Sequence, residues 1–401
     1  MKNVIVITYW SVSDALIQTY TLPYVKLIRK HVPAGSSIYL VTLEKQETVL
    51  RLPARDKVAK ELAQEGITWM PYRYFPFGMK AITHWIGVVS ILILKIFFRR
   101  INYIHCWCTP AGAVGYLLKL ITRKKLILDS YEPHAEAMVE NGTWNKKGAA
   151  FRLLFWLEKK QTERADFAIA ATEGMWDYAK QKFSVKIDNF EVKPACVDFS
   201  LFTTVSTKSE VLLKQLDLVD KIVCVYAGKF GGIYLEGEVF DFIKVASEHW
   251  GNRFRFLILT NHTRAEILSF CRRAAVDEAI VKTCFVAHKE VADYLGLADF
   301  ALTPVKPVPS KRYCTPIKDG EYWAMGLPVV ITPHISVDSE IILEHKIGAV
   351  IEEFSTAGYK KAVTEIEMIM QTPGIRKQVR LVAEKYRSFA LADQVYKKVY
   401  G

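Results

Sequence analysis

Short runs of apolar, often β-branched residues alternate along the whole chain with longer helical segments. The predicted strands of the first half are Val4–Thr8, Ser37–Thr42, Ile67–Pro71, Tyr103–Cys106, Leu126–Asp129 and Phe167–Ala171. Those of the second half are Ile222–Ala227, Phe254–Thr260, Lys282–Val286, Phe300–Pro304, Pro328–Thr332 and Ala349–Ile351. These runs are continuously apolar, as is typical of strands buried on both faces. The pattern predicts an α/β fold of parallel sheets with crossover helices.

The length of the chain predicts two such domains. A chain of 401 residues exceeds what one hydrophobic core usually supports. The join between them is predicted near Val192–Ser209, where Pro194 follows a strand-like run and Thr203–Ser209 is polar, as linkers are. Two helical segments, Tyr359–Met370 and Ile375–Tyr400, are predicted at the end of the chain. Doubly wound domains bind ligands at the carboxyl ends of their strands, so the loops that follow strands are the places to look for chemistry.

One apolar stretch, Ala81–Phe98, is long enough to raise the question of a membrane span. His84 and Lys95 interrupt it and leave ten uncharged residues from Trp85 to Leu94, whereas a span needs about 20. It therefore predicts a buried crossover helix. Since Met1–Ile7 is predicted to be a strand rather than part of a secretory leader, a cytoplasmic location is expected.

The net charge of +12 is concentrated in the first half of the chain. Residues 1–200 contain 28 Lys and Arg against 18 Asp and Glu, and the remainder contains 26 against 24. The same half contains an aromatic group: Trp69, Tyr72, Tyr74, Phe75, Phe77 and Trp85. Basic charge among aromatic residues suits an anionic membrane surface or a phosphorylated lipid. A nucleic-acid partner, for which no known module is present, and a merely basic soluble protein are the alternatives.

The cysteines and acidic residues predict no metal site. Seven cysteines are scattered without the paired doublets of a zinc site, which favours ordinary reduced thiols. No Asp-x-Asp motif is present to hold a divalent metal.

The segment from Pro316 to Val330 carries the clearest chemical pattern. Pro316 begins a predicted helix and Gly326 ends it, before a buried strand from Pro328. Lys318 and Glu321 are three residues apart and share one helix face. The free N–H groups at a helix N-terminus attract phosphate; Lys318 would add to this attraction, and Glu321 could accept both ribose hydroxyls. The alternative is a surface ion pair on an ordinary helix.

This segment resembles the signature of retaining GT-B glycosyltransferases of family four, on the run Glu321-Tyr-Trp-Ala-Met-Gly326-Leu-Pro328-Val-Val330. In that family the second glutamate of a Glu-x7-Glu motif, matched by Glu321, holds the nucleotide ribose. Tyr313 stands where the first glutamate would contact the donor sugar. The run from Thr315 through Lys318 to Glu321 resembles a subgroup with a Ser/Thr-Pro-x-Lys-x-x-Glu pattern.

The resemblance implies a GT-B fold, in which two Rossmann-like doubly wound domains face each other across a cleft. Residues 1–200 would form the acceptor-side domain, and residues 205–377 the nucleotide-sugar-binding domain. The C-terminal helix, residues 378–401, would pack back onto the first domain.

A glycine loop follows the first strand of the second half: Gly228, Lys229, Gly231 and Gly232. Glycines let backbone N–H groups approach a phosphate. Lys229 matches the position where the family places a basic residue on the diphosphate, while Tyr234 stands where a second lysine usually follows. A solvated loop lysine is the alternative reading of Lys229.

Polar residues also follow strands in the first half. His134 matches an active-site histidine that contacts the donor sugar in the family, and Glu132 beside it is a candidate acceptor-side base; a structural loop histidine is the alternative. Asp14 could bind acceptor hydroxyls, but capping the next helix is the favoured reading. His105 is expected to be a core histidine.

Together these features predict a hexosyl- or related glycosyltransferase that uses a UDP- or GDP-type sugar donor, with retention and without a cofactor or metal. A glycan or lipid-linked acceptor, a role in bacterial-type surface polysaccharide or glycoconjugate synthesis, and peripheral association with the inner face of the membrane are expected. Two alternatives stay open: a GT-B sugar-nucleotide epimerase and a non-catalytic glycosyltransferase-like partner subunit.

Overall fold

The strands of the computed structural model form two parallel sheets, each within its own unit. Unit 1 comprises Met1–Pro194 and Ala390–Gly401, and unit 2 comprises Ala195–Phe389. The structure describes residues 1–14, 16–51, 53–75, 79–203 and 208–401. Phe77 and part of the predicted linker, residues 204–207, lie outside the described residues.

The sheet of unit 1 has seven strands in the order β3-β2-β1-β4-β5-β6-β7. These are β1 (Asn3–Ile7), β2 (Ile38–Glu44), β3 (Ile67–Arg73), β4 (Ile101–Trp107), β5 (Lys125–Tyr131), β6 (Phe167–Ala170) and β7 (Phe190–Val192). The strand order reverses between β1 and β4, so the switch point of this sheet lies at their carboxyl ends.

The sheet of unit 2 has six strands in the order β10-β9-β8-β11-β12-β13. These are β8 (Ile222–Ala227), β9 (Phe254–Leu259), β10 (Val281–Cys284), β11 (Phe300–Thr303), β12 (Val329–Ile331) and β13 (Gly348–Val350). Its switch point lies between β8 and β11. Val223 and Val225 of β8 pack into one hydrophobic cluster, and Cys224 and Tyr226 pack into a second. Burial on both faces is the reason that these strands are continuously apolar.

Helices connect the strands of both sheets. The helices of the first half are α1 (Leu22–His31), α2 (Glu47–Leu50), α3 (Ala54–Gln64), α4 (Met79–Phe98), α5 (Thr109–Thr122), α6 (His134–Glu140), α7 (Ala149–Arg164) and α8 (Gly174–Phe183). Those of the second half are α9 (Glu210–Gln215), α10 (Gly237–Trp250), α11 (Arg264–Ala274), α12 (Val291–Leu295), α13 (Ile317–Ala324), α14 (Asp338–His345), α15 (Thr356–Met370), α16 (Ile375–Arg387) and α17 (Phe389–Tyr400). A π-helical turn, Ile17–Thr21, precedes α1, and 3₁₀ turns lie at Gly251–Arg253, Glu278–Ile280, His288–Glu290 and Pro309–Tyr313.

The structure confirms the predicted fold class of two parallel-sheet, Rossmann-like domains. Every predicted strand overlaps an observed one, and β7 lies at the strand-like run before Pro194. The predicted single helix at the end of the chain is wrong, because the extended residue Ser388 separates α16 from α17. The units divide between Pro194 and Ala195 and again between Phe389 and Ala390, so residues 378–389 lie in unit 2.

The predicted crossover helix is observed as α4, but the expectation that it is buried is wrong for much of its surface. Val88, Leu92 and Ile96 form its buried stripe, whereas Ile86 is 64% and Phe98 81% exposed. Among the described residues, no helix is both long and apolar enough to cross a membrane.

Candidate functional site

The glycine loop of unit 2 follows β8 at the switch point of the sheet. Gly231 and Gly232 adopt positive φ angles of 79° and 61°, a region that favours glycine. The Tyr234 N–H donates to the Gly231 carbonyl at 3.0 Å, and Tyr234 forms an isolated antiparallel bridge with Val305, which follows β11. The loop is therefore held against the neighbouring strand end.

Lys318 lies in the first turn of α13, which begins after Pro316, and reaches this loop. Its Nζ lies 3.9 Å from the ring centroid of Tyr234, 4.5 Å from that of Tyr226 and 3.4 Å from the Tyr226 hydroxyl. The residue is only 9% exposed. Burial opposes the charged form, but the two tyrosines outweigh it and raise the pKa of Lys318 above its ordinary value. The position therefore holds a buried cation.

Gly228 is the point of closest approach between the loop and this lysine. A Cβ at this position would lie 2.8 Å from Lys318 Nζ and 2.8 Å from the Tyr226 hydroxyl. The absence of a side chain is thus what allows the ammonium group to reach the loop backbone.

Glu321 lies one turn beyond Lys318 on α13. Its Oε1 is 3.3 Å from His288 Nε2, and its side chain is mostly buried. Thr315, just before the helix, has its Oγ1 3.2 Å from Ser336 Oγ. Tyr313 ends the 3₁₀ turn before this segment and is half-buried. The start of α13 therefore presents a cation and a carboxylate beside the glycine loop, a set suited to an anion and a pair of hydroxyls.

Lys229 differs from Lys318 in its surroundings. It is exposed, and its ammonium forms no ion pair within the part of the chain that the structure describes. Its carbonyl accepts a hydrogen bond from the Tyr226 hydroxyl at 2.5 Å, which fixes the backbone. The side chain is accordingly available to a ligand.

In unit 1 the structure brings the two predicted catalytic residues together at the end of β5. His134 is the first residue of α6, and its Nδ1 lies 2.9 Å from Glu132 Oε1. Both side chains are partly exposed. Beneath them, the buried Glu158 accepts a hydrogen bond from the Ala135 N–H at 2.8 Å. Burial, only partly opposed by this hydrogen bond, raises the pKa of Glu158 well above its usual range.

Asp14 precedes the π-helical turn, and its carbonyl accepts from the N–H groups of Ile17 and Gln18. Its carboxylate accepts from the Ser11 N–H at 3.0 Å and lies 3.8 Å from Lys45 Nζ. The loop after β1 is also held by the buried Glu44, which accepts from the Val12 N–H at 3.0 Å. The carboxylate of Asp14 remains partly exposed at the switch point of unit 1.

Several residues around these positions were missed from the sequence. Tyr226 and Tyr234 contribute rings to the cation of Lys318, and His288 contacts Glu321. His288 lies 33 residues from its partner, so no local spacing could have indicated the contact. Among the described residues, no group of three His, Cys, Asp or Glu side chains is arranged to hold a metal ion. The buried His105 contacts Asp129, as a core histidine would.

Solved structures with a similar fold cover nearly the whole chain. Sucrose-phosphate synthase from Thermosynechococcus elongatus is 15% identical at a TM-score of 0.72, covering 100% of this chain and 99% of that one. HepE of Anabaena in complex with UDP is 13% identical at a TM-score of 0.72, covering 100% of this chain and 99% of that one. WaaG, a glycosyltransferase involved in lipopolysaccharide biosynthesis, is 12% identical at 0.68, covering 99% of this chain and 100% of that one.

These likenesses define the class of fold. The chain has the GT-B fold, with Rossmann-like units of seven and six parallel strands. No known protein family and no curated protein matches the sequence.

Proposed function

We propose that this protein is a glycosyltransferase that moves a sugar from a nucleoside-diphosphate sugar to a glycan or lipid-linked acceptor. The observation that carries the proposal is the buried cation of Lys318, in contact with the glycine loop at Gly228 and one helical turn from Glu321. In support, solved structures of similar fold contain UDP, UDP with glucose, or UDP-glucose.

In this proposal unit 2 holds the donor, of UDP or GDP type. Lys318, the N–H groups of the loop at Gly231 and Gly232, and the exposed Lys229 bind the diphosphate, while Glu321 accepts hydrogen bonds from the ribose hydroxyls. As the bond from the anomeric carbon to the phosphate oxygen breaks, negative charge grows on the diphosphate. Preorganised cations and N–H donors stabilise that charge by several kcal/mol in a water-poor site. In this proposal these groups stabilise the diphosphate in place of a divalent metal ion.

Unit 1 holds the acceptor in this scheme. Glu132 takes the proton of the acceptor hydroxyl, whose oxygen forms the new bond to the anomeric carbon. His134, oriented by its 2.9 Å contact with Glu132, binds the donor sugar, and Asp14 binds acceptor hydroxyls. We assign a hexosyl transfer with retention through a front-face, oxocarbenium-like transition state. The biological setting would be surface polysaccharide or glycoconjugate synthesis by a cytoplasmic protein at the inner face of the membrane.

A second candidate, a non-catalytic glycosyltransferase-like subunit, is favoured by two tyrosines. Tyr313 replaces the glutamate expected at the donor sugar, and Tyr234 gives Lys318 an aromatic ring where a second lysine was expected. Such a subunit would bind nucleotide without turning over any donor.

Calorimetric titration with UDP, GDP and ADP tests the donor site. We expect tight binding of one nucleotide by the wild type, loss of binding in Glu321→Ala, and unchanged binding in Glu340→Ala. Glu340 is an exposed glutamate on α14 and serves as the matched control. Failure of all three nucleotides to bind would refute the proposal.

Product analysis then separates the transferase from its alternatives. Incubation with the donor sugar, with and without a glycan or lipid-linked acceptor, is followed by NMR of the product. An acceptor-dependent glycoside with the anomeric configuration of the donor supports retaining transfer. An epimerised donor formed without acceptor indicates an epimerase, and binding without turnover indicates the non-catalytic subunit.

A further inference from the structure

Three helices of unit 1 turn apolar stripes toward one open groove. Ile86, Val89 and Ile93 of α4 line it, together with residues of α5 and α7 at the same helical spacing: Ala113, Val114, Leu117, Leu120, Ile121, Leu153, Leu154 and Leu157. Stripes with this spacing normally pack against a core. Here Ile86, Leu117, Leu120, Ile121 and Leu153 are exposed instead.

The groove has the size of a ligand site. Its volume is about 880 Å³, within the roughly 300–1,000 Å³ of small-molecule pockets. It is lined along α5 from Pro110 to Ile121, a length of about 16 Å at a rise of 1.5 Å per residue. A long, apolar, open groove fits an extended hydrocarbon chain and offers little to a free sugar.

One part of the groove is lined by polar groups that include His134 of the candidate site. Tyr9, Tyr74 and His134 line it, and they follow β1, β3 and β5 at the carboxyl edge of the sheet. A chain lying along α5 would therefore bring its head group to His134 and to Glu132, which contacts His134.

The part of the sequence that contains α4 and α5 carries only positive charge. Residues 66–128 contain no Asp or Glu but nine basic residues: Arg73, Lys80, Lys95, Arg99, Arg100, Lys119, Arg123, Lys124 and Lys125. Most of these lie near the amino ends of β4 and β5, away from His134. At the carboxyl edge, the Arg73 guanidinium lies 5.2 Å from the ring centroid of Phe75 and Lys45 Nζ lies 5.9 Å from that of Tyr74, and both rings line the groove. Charge complementarity therefore favours an anionic head group, because clustered Lys and Arg attract lipid phosphate.

We propose that this groove binds the hydrocarbon chain of an anionic single-chain amphiphile whose head group carries a phosphate and the acceptor hydroxyl, and that this amphiphile is the acceptor. The identity of the amphiphile as acceptor rests on the proposed function. The proposal that the groove binds a hydrocarbon chain rests on the geometry and charge of the groove.

The test is calorimetric titration with decyl phosphate, hexyl phosphate and inorganic phosphate, each as a monomer in solution. Each added methylene that is buried tightens binding by about fourfold at most, so decyl phosphate should bind much more tightly than hexyl phosphate, and inorganic phosphate weakly. Ser90→Trp places bulk in the groove and should weaken decyl phosphate binding at least tenfold. Ile91→Trp, on the same helix but outside the groove, should leave it unchanged.

UDP titration of both variants keeps this inference separate from the proposed function. An unchanged unfolding transition of unit 1, monitored in the Ser90→Trp variant, shows that this variant is folded. Decyl phosphate binding without any UDP binding would overturn the function but not the groove. Affinity independent of chain length, equal weakening in both variants, or binding only to anionic vesicles would overturn the inference. So would a dimer that Ser90→Trp dissociates, since a second copy would then cover the groove.

Discussion

Lys318 illustrates how a single residue obtains its chemical character from neighbours that are distant in sequence. The spacing of Lys318 and Glu321 predicts one helix face, and α13 has that geometry. The sequence could not predict that Tyr226, 92 residues earlier, and Tyr234 would surround the ammonium group. Those contacts depend on the pairing of β8 with β11, which no local pattern encodes.

Lys318→Met should separate phosphate binding from nucleoside binding. Methionine keeps most of the aliphatic chain and loses the charge, so UDP affinity should fall at least tenfold while uridine affinity is unchanged. Because the pKa of Lys318 is raised above its ordinary 10.5, the wild-type affinity for UDP should not fall through loss of this charge between pH 7 and 9. Calorimetry with UDP and uridine measures both, with the exposed Lys360→Met as control. Equal losses for UDP and uridine would mean that Lys318 only shapes the pocket.

Gly228→Ala should disturb the same contact by steric means. The new methyl group would lie 2.8 Å from Lys318 Nζ, so the ammonium group must move away from the loop. We expect UDP affinity to fall about tenfold or more, with some loss of thermal stability because Gly228 has a φ of 156°, which L residues rarely adopt. Gly237→Ala, where an added Cβ meets nothing within 4 Å, should keep wild-type affinity. Similar UDP affinity in the two variants would contradict this role of Gly228.

At the scale of elements, the pattern of apolar residues predicted most strands. It failed where the length, burial or end of an element depends on its surroundings. β7 is three residues long and half-buried, so it leaves only the short strand-like run before Pro194. The apolar residues of α4 predicted burial, but Leu94 is 56% exposed, because hydrophobicity does not report whether a partner surface exists. The break between α16 and α17 falls at Ser388, within a helical pattern that continues on both sides.

Helix α17 is held in unit 1 by a buried polar cluster around Asp129. The Asp129 carboxylate lies 3.1 Å from Lys193 Nζ and 3.1 Å from His105 Nε2, and it accepts a hydrogen bond from the Tyr396 hydroxyl at 2.7 Å. Burial alone would raise the pKa of Asp129, but Lys193, His105 and Tyr396 lower it to about 2. Since the unfolded pKa is higher, the cluster stabilises the fold above about pH 4, and this contribution is lost as the pH falls toward 2.

Tyr396→Phe should therefore destabilise the protein in a pH-dependent way. A hydrogen bond to a buried ionised group contributes about 1.5–3 kcal/mol, and we expect a loss of that size at pH 7 by urea unfolding. The loss should shrink as the pH falls below 4 and Asp129 gains a proton. Tyr39→Phe on β2 is the control, expected to change stability little at any pH. A loss that does not vary with pH would show that the ionised Asp129 is not the partner that matters.

Two buried aspartates in unit 2 should differ in how strongly the same substitution destabilises the protein. Asp338 forms an ion pair with the buried Arg387, whereas burial and the neighbouring Asp338 raise the pKa of Asp319 well above its usual range. Asp338→Asn removes the partner of a buried charge and should cost about 3–5 kcal/mol. Asp319→Asn replaces a carboxyl that favours its protonated, neutral form and should cost less than about 1.5 kcal/mol. Urea unfolding at pH 7 compares them, and equal losses would contradict this assignment of charge.

At the scale of the whole molecule, the sequence identified the residues of the candidate site more reliably than the residues that surround them. Motif spacing singled out the glycine loop and α13, which the strand order of unit 2 brings to one switch point. The uneven charge of the chain was likewise visible in composition. What composition could not show is that α4, α5 and α7 leave their apolar stripes exposed, because exposure is a property of how the helices pack.

The excess positive charge near the exposed end of α4 should bind the protein to anionic membranes. Arg99 and Arg100 are exposed and follow Phe98, which is also exposed. Each basic residue near an anionic surface contributes about 1 kcal/mol, so the Arg99→Glu, Arg100→Glu double variant should bind phosphatidylglycerol vesicles at least tenfold more weakly by co-sedimentation. Wild-type binding should weaken as salt screens the charges. The Lys360→Glu, Lys377→Glu double variant of unit 2 carries the same change in net charge and should bind as the wild type does. If both variants lose binding equally, total charge alone governs association and unit 1 has no special face toward the membrane.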